Sequence, residues 1–206
     1  MTQKTFTDLM WAGSNDVKMT LMMSLACLAL STTMACAQMK DCAMKMPLET
    51  SQAVSEWYAV NDGVMGGKSS GGAKFDQGHM VFDGVINTNG GGFSSVRRDV
   101  TPGLLREATG LTLNVRSDGR EYKVTMKTQA RLRGRYISFQ GVIPPSAPGE
   151  WAVVTVNFDD LKASIFGRPV RGASFAPAEV SEIGIIIADG QDGPFELHVK
   201  DIASCG

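Results

Sequence analysis

The sequence predicts an all-β protein, built as an antiparallel β-sandwich or barrel. About ten short runs rich in β-branched and aromatic residues are separated by turn residues, and helical periodicity is scarce. Glycine is abundant, with 23 residues in a chain of 206, and it concentrates in the predicted turns. A chain of this length can bury a sizeable core in one domain, so we expect a single sandwich.

The predicted strands follow from alternating or continuous apolar runs. Residues 38–55 form a mixed lead-in segment, and the domain proper is predicted over residues 56–206. The predicted strands are residues 56–60, 73–76, 80–87, 93–100, 111–115, 121–132, 137–142, 151–158, 183–188 and 195–202. The run 183–188 is apolar throughout, which predicts a strand buried on both faces. Helical turns are predicted at residues 104–108 and 177–181, and residues 159–171 are irregular.

The strand predicted over residues 121–132 has two different faces, because successive side chains of a strand point to opposite sides. Its apolar face carries Tyr122, Val124, Met126, Ala130 and Leu132. Its basic face, continued past the strand, carries Lys123, Thr125, Lys127, Gln129, Arg131, Arg133 and Arg135. Two interpretations fit this pattern: a solvated sheet face, or a groove for an acidic partner or a polysaccharide.

An export signal is predicted near the N-terminus. Residues 19–34 form an apolar run of 16 residues that follows Lys18 and precedes an Ala-Cys-Ala cleavage sequence at 35–37. This run is short for a membrane-spanning helix. Because residues 1–16 are polar, we expect translation to start at Val17 or Met19. The mature protein is then expected to be periplasmic or secreted, with a lipid anchor on Cys36 as a weaker alternative.

Cleavage after Ala37 would leave two cysteines, Cys42 and Cys205, one near each end of the exported domain. Disulfides form and persist in oxidising compartments outside the cytoplasm. A disulfide between the two ends is therefore expected, with two unpaired thiols as the alternative.

Two ligand classes are disfavoured by the sequence. The net charge of −1 does not favour bulk affinity for nucleic acid, which depends on neutralising phosphates. The stretch Asn-Asp-Gly-Val-Met-Gly-Gly-Lys-Ser at 61–69 is only superficially like a phosphate loop, since Asp62 occupies the position where the Walker A motif needs glycine. With a second glycine-rich stretch at 89–97, it predicts two tight loops on a β scaffold, around a shared site.

Catalysis is not predicted, because the sequence contains neither a His-Glu-x-x-His nor a Cys-x-x-Cys motif. A glycoside-acting enzyme that uses two carboxylates is the weaker alternative. The carboxylates available for it are Asp62, Asp118, Asp159, Asp160, Asp189 and Asp192. No cofactor is predicted. Residues 189–193 hint at a calcium loop, although Lys200 stands where such a loop needs Glu, and a structural calcium ion stays an alternative.

A series of motifs, in one order along the chain, resembles the complex I intermediate-associated protein 30 family. The pieces are Trp57, Asn-Asp-Gly-Val-Met-Gly-Gly at 61–67, Phe-Asp-Gly at 82–84, Asn-Gly-Gly-Gly-Phe-Ser-Ser-Val-Arg at 89–97, Asp-Gly-Arg-x-Tyr at 118–122, Trp151, Gly167-Arg168, Asp189 and Gly193-Pro194-Phe195. The resemblance implies a galactose-binding-like jelly roll akin to carbohydrate-binding modules. It also implies a chaperone-like role in assembling respiratory complex I.

The predicted binding site combines the charged and polar residues of these motifs with a tryptophan. Its members are Asn61, Asp62, Arg97, Arg120 and Asp189, with Trp57 or Trp151. Arginine offers a planar fork for bidentate contacts, and tryptophan a flat apolar face for a sugar ring. The alternatives are internal ion pairs, Asp62 with Arg97 or Asp189 with Arg120, and tryptophans buried in the core.

The main functional hypothesis is a non-catalytic binding or assembly module that recognises a protein partner through its loops. The alternative is a carbohydrate-binding module that uses the same loops or the basic sheet face. Nucleic acid is not an expected partner, and the protein is not expected to span a membrane.

Overall fold

Two antiparallel β-sheets form the fold, and the computed structural model describes residues 42–206. The predicted antiparallel β-sandwich is confirmed. The strands are β1 (Cys42–Pro47), β2 (Tyr58–Asn61), β3 (Ser70–Asp76), β4 (His79–Ile86), β5 (Ser94–Asp99), β6 (Gly110–Ser117), β7 (Tyr122–Leu132), β8 (Arg135–Val142), β9 (Trp151–Asn157), β10 (Lys162–Ile165), β11 (Arg168–Pro169), β12 (Glu182–Ile187) and β13 (Gly193–Cys205). A short helix, α1 (Ser51–Ser55), and 3₁₀ turns at Asp62–Met65, Phe158–Asp160 and Pro177–Glu179 complete the elements. No helix within this part of the chain is long and apolar enough to cross a membrane.

The first sheet has six strands and is organised around β13. Its order is β3-β4-β13-β6-β9, and β1 also pairs with β13. The first half of β13 pairs with β4 and the second half with β1, while β6 runs along its other side. This arrangement places Cys42 opposite Cys205 in the β1–β13 register.

The second sheet has seven strands in the order β11-β10-β8-β7-β12-β5-β2. All six residues of β12 are buried, as predicted for a strand covered on both faces. Ile183, Ile185 and Ile187 belong to the core between the sheets. Because side chains alternate along a strand, Glu182, Gly184 and Ile186 lie on the outer face of this sheet.

The core between the sheets is apolar and aromatic. Phe82 and Phe195 come from the six-stranded sheet and Tyr122 from the seven-stranded sheet. The ring centroids of Phe82 and Phe195 are 4.8 Å apart, and each lies 6.4 Å from that of Tyr122. These edge-to-face contacts bury large apolar areas, so they contribute strongly to holding the two sheets together.

The alternation predicted for β7 holds only over its first half. Tyr122, Val124 and Met126 are buried on the core side, as expected. The pairing of β7 with β8 then shifts register between Lys127 and Arg131. Three residues of β7, 128–130, stand there opposite a single residue of β8, Ile137, and such a bulge re-aims the side chains that follow. Thr128 is still fully buried on the same side as Met126, whereas Ala130 is half-buried and Leu132 is 45% exposed.

Three predicted segments differ in the structure. The lead-in at residues 38–55 contains β1, which extends the six-stranded sheet, and α1, whose Val54 joins the core. The irregular region 159–171 contains β10 and β11. The helical turn expected at 104–108 is a series of turns, whereas the one at 177–181 is a 3₁₀ turn. The predicted export segment and Cys36 lie outside the described residues.

Candidate functional site

The two glycine-rich stretches meet at one buried carboxylate, that of Asp62. This residue begins the 3₁₀ turn after β2 and has no exposed surface. Its Oδ1 accepts a hydrogen bond from the Ser69 backbone N–H at 2.8 Å. Its Oδ2 accepts from the Ser69 hydroxyl and from the Gly92 N–H, both at 2.6 Å. The loops therefore do share a centre, and that centre is a carboxylate enclosed by its own chain.

The glycines around Asp62 leave room for its carboxylate. A Cβ atom at Gly67 would lie 2.2 Å from the Asp62 Cγ, and one at Gly91 would lie 2.3 Å from Oδ2. Burial raises the pKa of the Asp62 carboxyl, but the hydrogen bonds from Ser69, Gly92 and Phe93 outweigh it and keep this pKa below its usual value. The carboxylate is therefore ionised and ties the loops together.

Residues 67–71, Gly-Lys-Ser-Ser-Gly, have the Gly-x-Ser-x-Gly spacing of a hydrolase nucleophile elbow, a motif that sequence reasoning missed. Ser69 is buried, and its hydroxyl donates to Asp62. The segment leads into strand β3, whereas a nucleophile elbow leads into a helix. This serine therefore has a structural role.

Asn61 and Trp57 lie beside the same loops. The side chain of Asn61 donates to the Gly71 carbonyl at 3.1 Å and accepts from the Ser94 hydroxyl at 2.6 Å. It thus links β2 to β3 and β5. Trp57 is only 6% exposed and packs in the core, in agreement with the alternative interpretation of this residue.

Arg120 and Asp189 form the internal ion pair that was the alternative to a ligand site. The guanidinium donates to both carboxylate oxygens, at 2.9 and 2.7 Å. It also donates to the carbonyls of Gln191, Gly193 and Pro194. Burial is the largest single effect and raises the pKa of Asp189, but the hydrogen bonds from Arg120 and Gln191, together with the charge of Arg120, outweigh it and hold this pKa below its usual value. The pair fixes the turn before β13.

The aspartate-rich turn at residues 189–193 is held by protein groups. Asp192 accepts a hydrogen bond from the Thr88 N–H at 2.6 Å, and Asp189 is paired with Arg120. Within residues 42–206, no three His, Cys, Asp or Glu side chains lie close enough together to hold a metal ion.

Trp151 lies on the outer face of the six-stranded sheet, among both histidines of the chain. The Lys200 ammonium is 4.1 Å from its ring centroid, and the rings of His79 and His198 lie 5.3 and 6.3 Å away. His79 Nε2 and His198 Nδ1 are 2.8 Å apart and share a hydrogen bond. The structure therefore does not bring Trp151 together with the loop residues.

Arg97 is the one residue of the predicted site that lines a groove on the outer face of the seven-stranded sheet. This sheet-face groove has a volume of about 940 Å³. Its lining includes Val60, Met65, Arg97, Lys123, Thr125, Lys127, Arg135, Tyr136, Ser138, Gln140, Ser164, Phe166, Glu182 and Ile186. Of the side chains predicted on the basic face, Lys123, Thr125, Lys127 and Arg135 line this groove, whereas Gln129, Arg131 and Arg133 do not belong to its lining.

The floor of the sheet-face groove passes over Gly184 in β12. In register across the sheet, Gly184 lies between Arg97 of β5 and Thr125 of β7. A Cβ atom at this position would be 2.7 Å from the Thr125 hydroxyl and 3.1 Å from the Arg97 Cγ. The absence of a side chain here keeps the middle of the groove open.

A buried carboxylate organises the charges in the groove. Glu182 accepts a hydrogen bond from the Tyr58 hydroxyl at 2.9 Å. It also pairs with Arg97 at 3.4 Å and Lys127 at 3.3 Å, while its own side chain is only 8% exposed. Burial, then the hydrogen bond to Glu182 and its charge, raise the pKa of Tyr58 to about 12. The tyrosine therefore stays a donor at neutral pH.

One end of the groove is aromatic and basic. Tyr136 and Phe166 are 40% and 69% exposed. The Arg131 guanidinium lies 3.8 Å from the ring centroid of Tyr136 and also donates to its hydroxyl. Arg135 lies 5.1 Å from the ring centroid of Phe166. Exposed rings with cations on their faces are typical of surfaces that bind ligands.

Sequence reasoning missed Tyr136, Phe166 and Glu182 as groove residues, and Tyr58 as the hydrogen-bond partner of Glu182. Tyr58 and Glu182 are 124 positions apart in the chain, so no local motif joins them. Glu182 could have been found from its place at the start of an otherwise apolar strand, because a charged residue there needs a partner.

Comparisons with known proteins agree with this architecture. A family 11 carbohydrate-binding module from Clostridium thermocellum, solved in complex with a beta-1,3-1,4-mixed-linked tetrasaccharide, is similar with a TM-score of 0.57 and 15% identity, over 79% of this chain and 95% of that one. The family 11 module of the cellulosomal cellulase Lic26A-Cel5E, from the same organism, is similar with a TM-score of 0.58 and 13% identity, over 80% and 96%. At such identities the likeness shows the fold, a jelly-roll sandwich. A search of curated proteins found no match.

The family suggested by the motifs is found independently. The profile of the family described as Complex I intermediate-associated protein 30 (CIA30) matches residues 46–199. The matched region begins in β1 and ends in β13. It covers most of the chain, including both glycine-rich loops and the sheet-face groove, and the chain therefore belongs to the complex I intermediate-associated protein 30 family.

Proposed function

We propose that this protein is a non-catalytic binding module whose sheet-face groove takes an extended saccharide chain. The observation that carries this proposal is the groove itself: an open channel of about 940 Å³ across several strands, with exposed rings at one end and polar side chains along its floor. Sugar rings stack on aromatic faces, while their hydroxyls bind to planar polar groups.

The chemistry along the groove suits hydroxyl-rich ligands. Thr125, Ser138 and Gln140 come from β7 and β8 and line the middle of the channel. They offer both donors and acceptors, as sugar hydroxyls require. The similar family 11 module was solved with a tetrasaccharide bound, which supports a ligand of this class for a sandwich of this shape.

A binding role is favoured over glycoside hydrolysis by the carboxylates of the groove. Hydrolysis usually needs two carboxyl groups on either side of the scissile bond. Among the described residues that line the groove, Glu182 is the single carboxylate, and Tyr58, Arg97 and Lys127 already engage it. Asp62 and Asp189, considered above for such a pair, are held by their own loops.

A pair of tryptophan substitutions tests the proposal. Ser138→Trp fills the groove from a half-buried outward position of β8, whereas Asn114→Trp places the same side chain at a half-buried outward position of β6 on the other sheet. We expect the full chain to be retained by a panel of immobilised polysaccharides that includes mixed-linked β-glucan. Ser138→Trp should lose that retention and Asn114→Trp should keep it. Retention by none of the polysaccharides, or equal retention of both variants, would overturn the proposal.

Family membership favours a second candidate, an assembly factor that holds a protein. The family description names an association with an intermediate of complex I. In this case the chain should co-purify with a complex I subunit from its own host. Ser138→Trp should abolish that co-purification if the groove is the contact, and the polysaccharide panel should give no signal.

Export is part of the saccharide proposal, since polysaccharides of this kind lie outside the cytoplasm. We propose that the segment at residues 19–37 is cleaved and that the mature protein is periplasmic or secreted. N-terminal sequencing of the protein from cell fractions tests this, and a mature chain that begins at Met1 would contradict it.

A further inference from the structure

We infer that the sheet-face groove selects saccharides that carry carboxylate or sulfate groups over neutral ones. This inference rests on the proposed function, because it names the ligand class of the same groove. It follows from the number and spacing of the cations that line the groove. It follows also from the contacts of the one lining carboxylate, Glu182, whose oxygens are already engaged by neighbouring side chains.

The groove has an excess of positive charge in a chain whose net charge is −1. Arg97, Lys123, Lys127 and Arg135 line it, against a single lining carboxylate, Glu182, among the described residues. Since the chain as a whole is close to neutral, the positive charge is concentrated on this face. Clefts lined by one sign of charge raise the local concentration of ligands of the opposite sign.

The carboxylate of the groove is shielded from a ligand. Glu182 is 8% exposed, and Tyr58, Arg97 and Lys127 take up its oxygens. The side chains of Arg97 and Lys127 are themselves 29% and 35% exposed. Two cations therefore share one buried negative charge and still present donors to the channel.

The cations follow the length of the groove. Lys123 and Lys127 are four positions apart in β7, which corresponds to about 13 Å along a strand. Lys123 pairs in register with Val142 at the end of β8, whereas Arg135 begins β8, about 23 Å away by the same rise. Arg97 lies two strands from β7, across β12. A row of separated cations fits a polymer with repeated anionic groups better than a single small anion.

Lys123 and Arg135, the cations farthest apart along β7 and β8, are both able to contact a ligand. Lys123 is paired at 3.0 Å with Glu121, but this carboxylate is 51% exposed. Exposed pairs contribute little, so Lys123 can exchange this partner for a ligand anion. Arg135 is exposed and rests against the ring of Phe166. A sugar on that ring would therefore have a guanidinium beside it.

Calorimetric titration of the full chain with matched probes tests the inference. The carboxylate probe is an oligogalacturonate, and its neutral control is the same oligomer with its carboxyls methyl-esterified. The sulfate probe is dextran sulfate, with dextran as its control. We expect at least one charged probe to bind about tenfold or more tightly than its neutral control, with an affinity that falls as salt is raised, as for contacts between opposite charges.

A pair of double variants locates the effect. Lys123→Gln with Arg135→Gln removes two charges from the groove. Lys45→Gln with Arg106→Gln removes two exposed charges from elsewhere. We expect the first pair to weaken binding of the charged probe about tenfold or more and to weaken binding of neutral oligosaccharides much less. The second pair of substitutions should change neither the binding of the charged probe nor that of the neutral oligosaccharides.

The outcomes separate this inference from the proposed function. If neutral and charged oligosaccharides bind equally and Ser138→Trp abolishes both, the groove binds saccharides but the charge selection is wrong. If no saccharide binds, both proposals fail. Equal losses in the two double variants, or equal binding of a single-stranded DNA oligonucleotide, would mean nonspecific attraction of polyanions and would overturn the inference.

Discussion

The backbone of Gly91 lies against the carboxylate of Asp62, so a Cβ atom at position 91 would be 2.3 Å from Oδ2. The φ angle of Gly91 is not in the left-handed region, and the requirement for glycine here is therefore purely steric. We expect Gly91→Ala to lower the free energy of unfolding by about 2 kcal/mol, the usual effect of overpacking a close-packed site. Urea unfolding monitored by circular dichroism measures it.

Gly63→Ala is the matched control for that substitution. Gly63 lies in the same loop and has an ordinary φ angle, and a Cβ atom at this position would meet no other atom within 4 Å. We expect its free energy of unfolding to change by less than about 0.5 kcal/mol. Equal effects of the two substitutions would show that close approach to Asp62 is not what keeps position 91 a glycine.

The buried carboxylate of Asp62 predicts a pH dependence of stability. Burial raises its pKa, but hydrogen bonds from Ser69, Gly92 and Phe93 bring it below the usual value in the folded protein. Its contribution to stability is then fully present above the unfolded pKa, about 3.9, and is lost as the pH falls through the folded pKa. Asp62→Asn should therefore destabilise the protein at pH 7, by about 3 kcal/mol, and the difference from wild type should shrink below about pH 4.

Urea unfolding of both proteins across this pH range measures the effect. Asp76→Asn, at an exposed position of β3, is the control and should follow wild type. A difference between Asp62→Asn and wild type that stays constant down to about pH 2 would contradict the role given to the ionised carboxylate.

Much of the fold could be predicted from local patterns, because period-two alternation and turn glycines act over a few residues. The continuous apolar run that became β12 and the Gln77-Gly78 turn between β3 and β4 are examples. The bulge after Lys127 could not be predicted, since it depends on pairing with β8. Nor could β10 and β11, which are short strands at the edge of the sheet.

The candidate site was less accessible to sequence reasoning, for a physical reason. Glycine clusters signal a close approach of the backbone but not what is approached, and here it is the chain's own Asp62. The groove is made by outward residues of neighbouring strands that are distant in sequence, such as Arg97 and Glu182. The basic face of β7 was the one local signal of the groove, because alternation places Lys123 and Lys127 on the same side.

We expect that lysine cannot replace Arg120 without a loss of stability. Its guanidinium makes two hydrogen bonds to Asp189 and three to backbone carbonyls. Lysine keeps the charge but cannot reproduce this planar fork. Since the pair is largely buried, at 14% and 3% exposure, Arg120→Lys should lower the free energy of unfolding by about 2–4 kcal/mol.

An exposed ion pair provides the comparison for Arg120. Lys74 and Asp83 lie 2.6 Å apart, but their side chains are 56% and 35% exposed. Lys74→Gln should change the free energy of unfolding by less than about 1 kcal/mol, because solvent screens such pairs. Thermal and urea unfolding of both variants measure the two effects. If Arg120→Lys lowered the free energy of unfolding as little as Lys74→Gln does, the planar geometry of the guanidinium would be unimportant for stability.

The pairing of β1 with β13 leads to a prediction about the cysteines. Cys42 lies opposite Cys205 in the backbone register, which supports the expected disulfide between the two ends of the domain. A cross-link that closes so long a loop restricts the unfolded chain, and its loss typically costs about 2–5 kcal/mol. Cys42→Ser should therefore lower the melting temperature of protein prepared from an oxidising compartment. A reducing agent should lower it similarly in wild type and leave the variant unchanged. Thiol titration of the denatured wild-type protein, with its N-terminal segment removed, should find no free cysteine, and two free thiols per chain would rule out the disulfide.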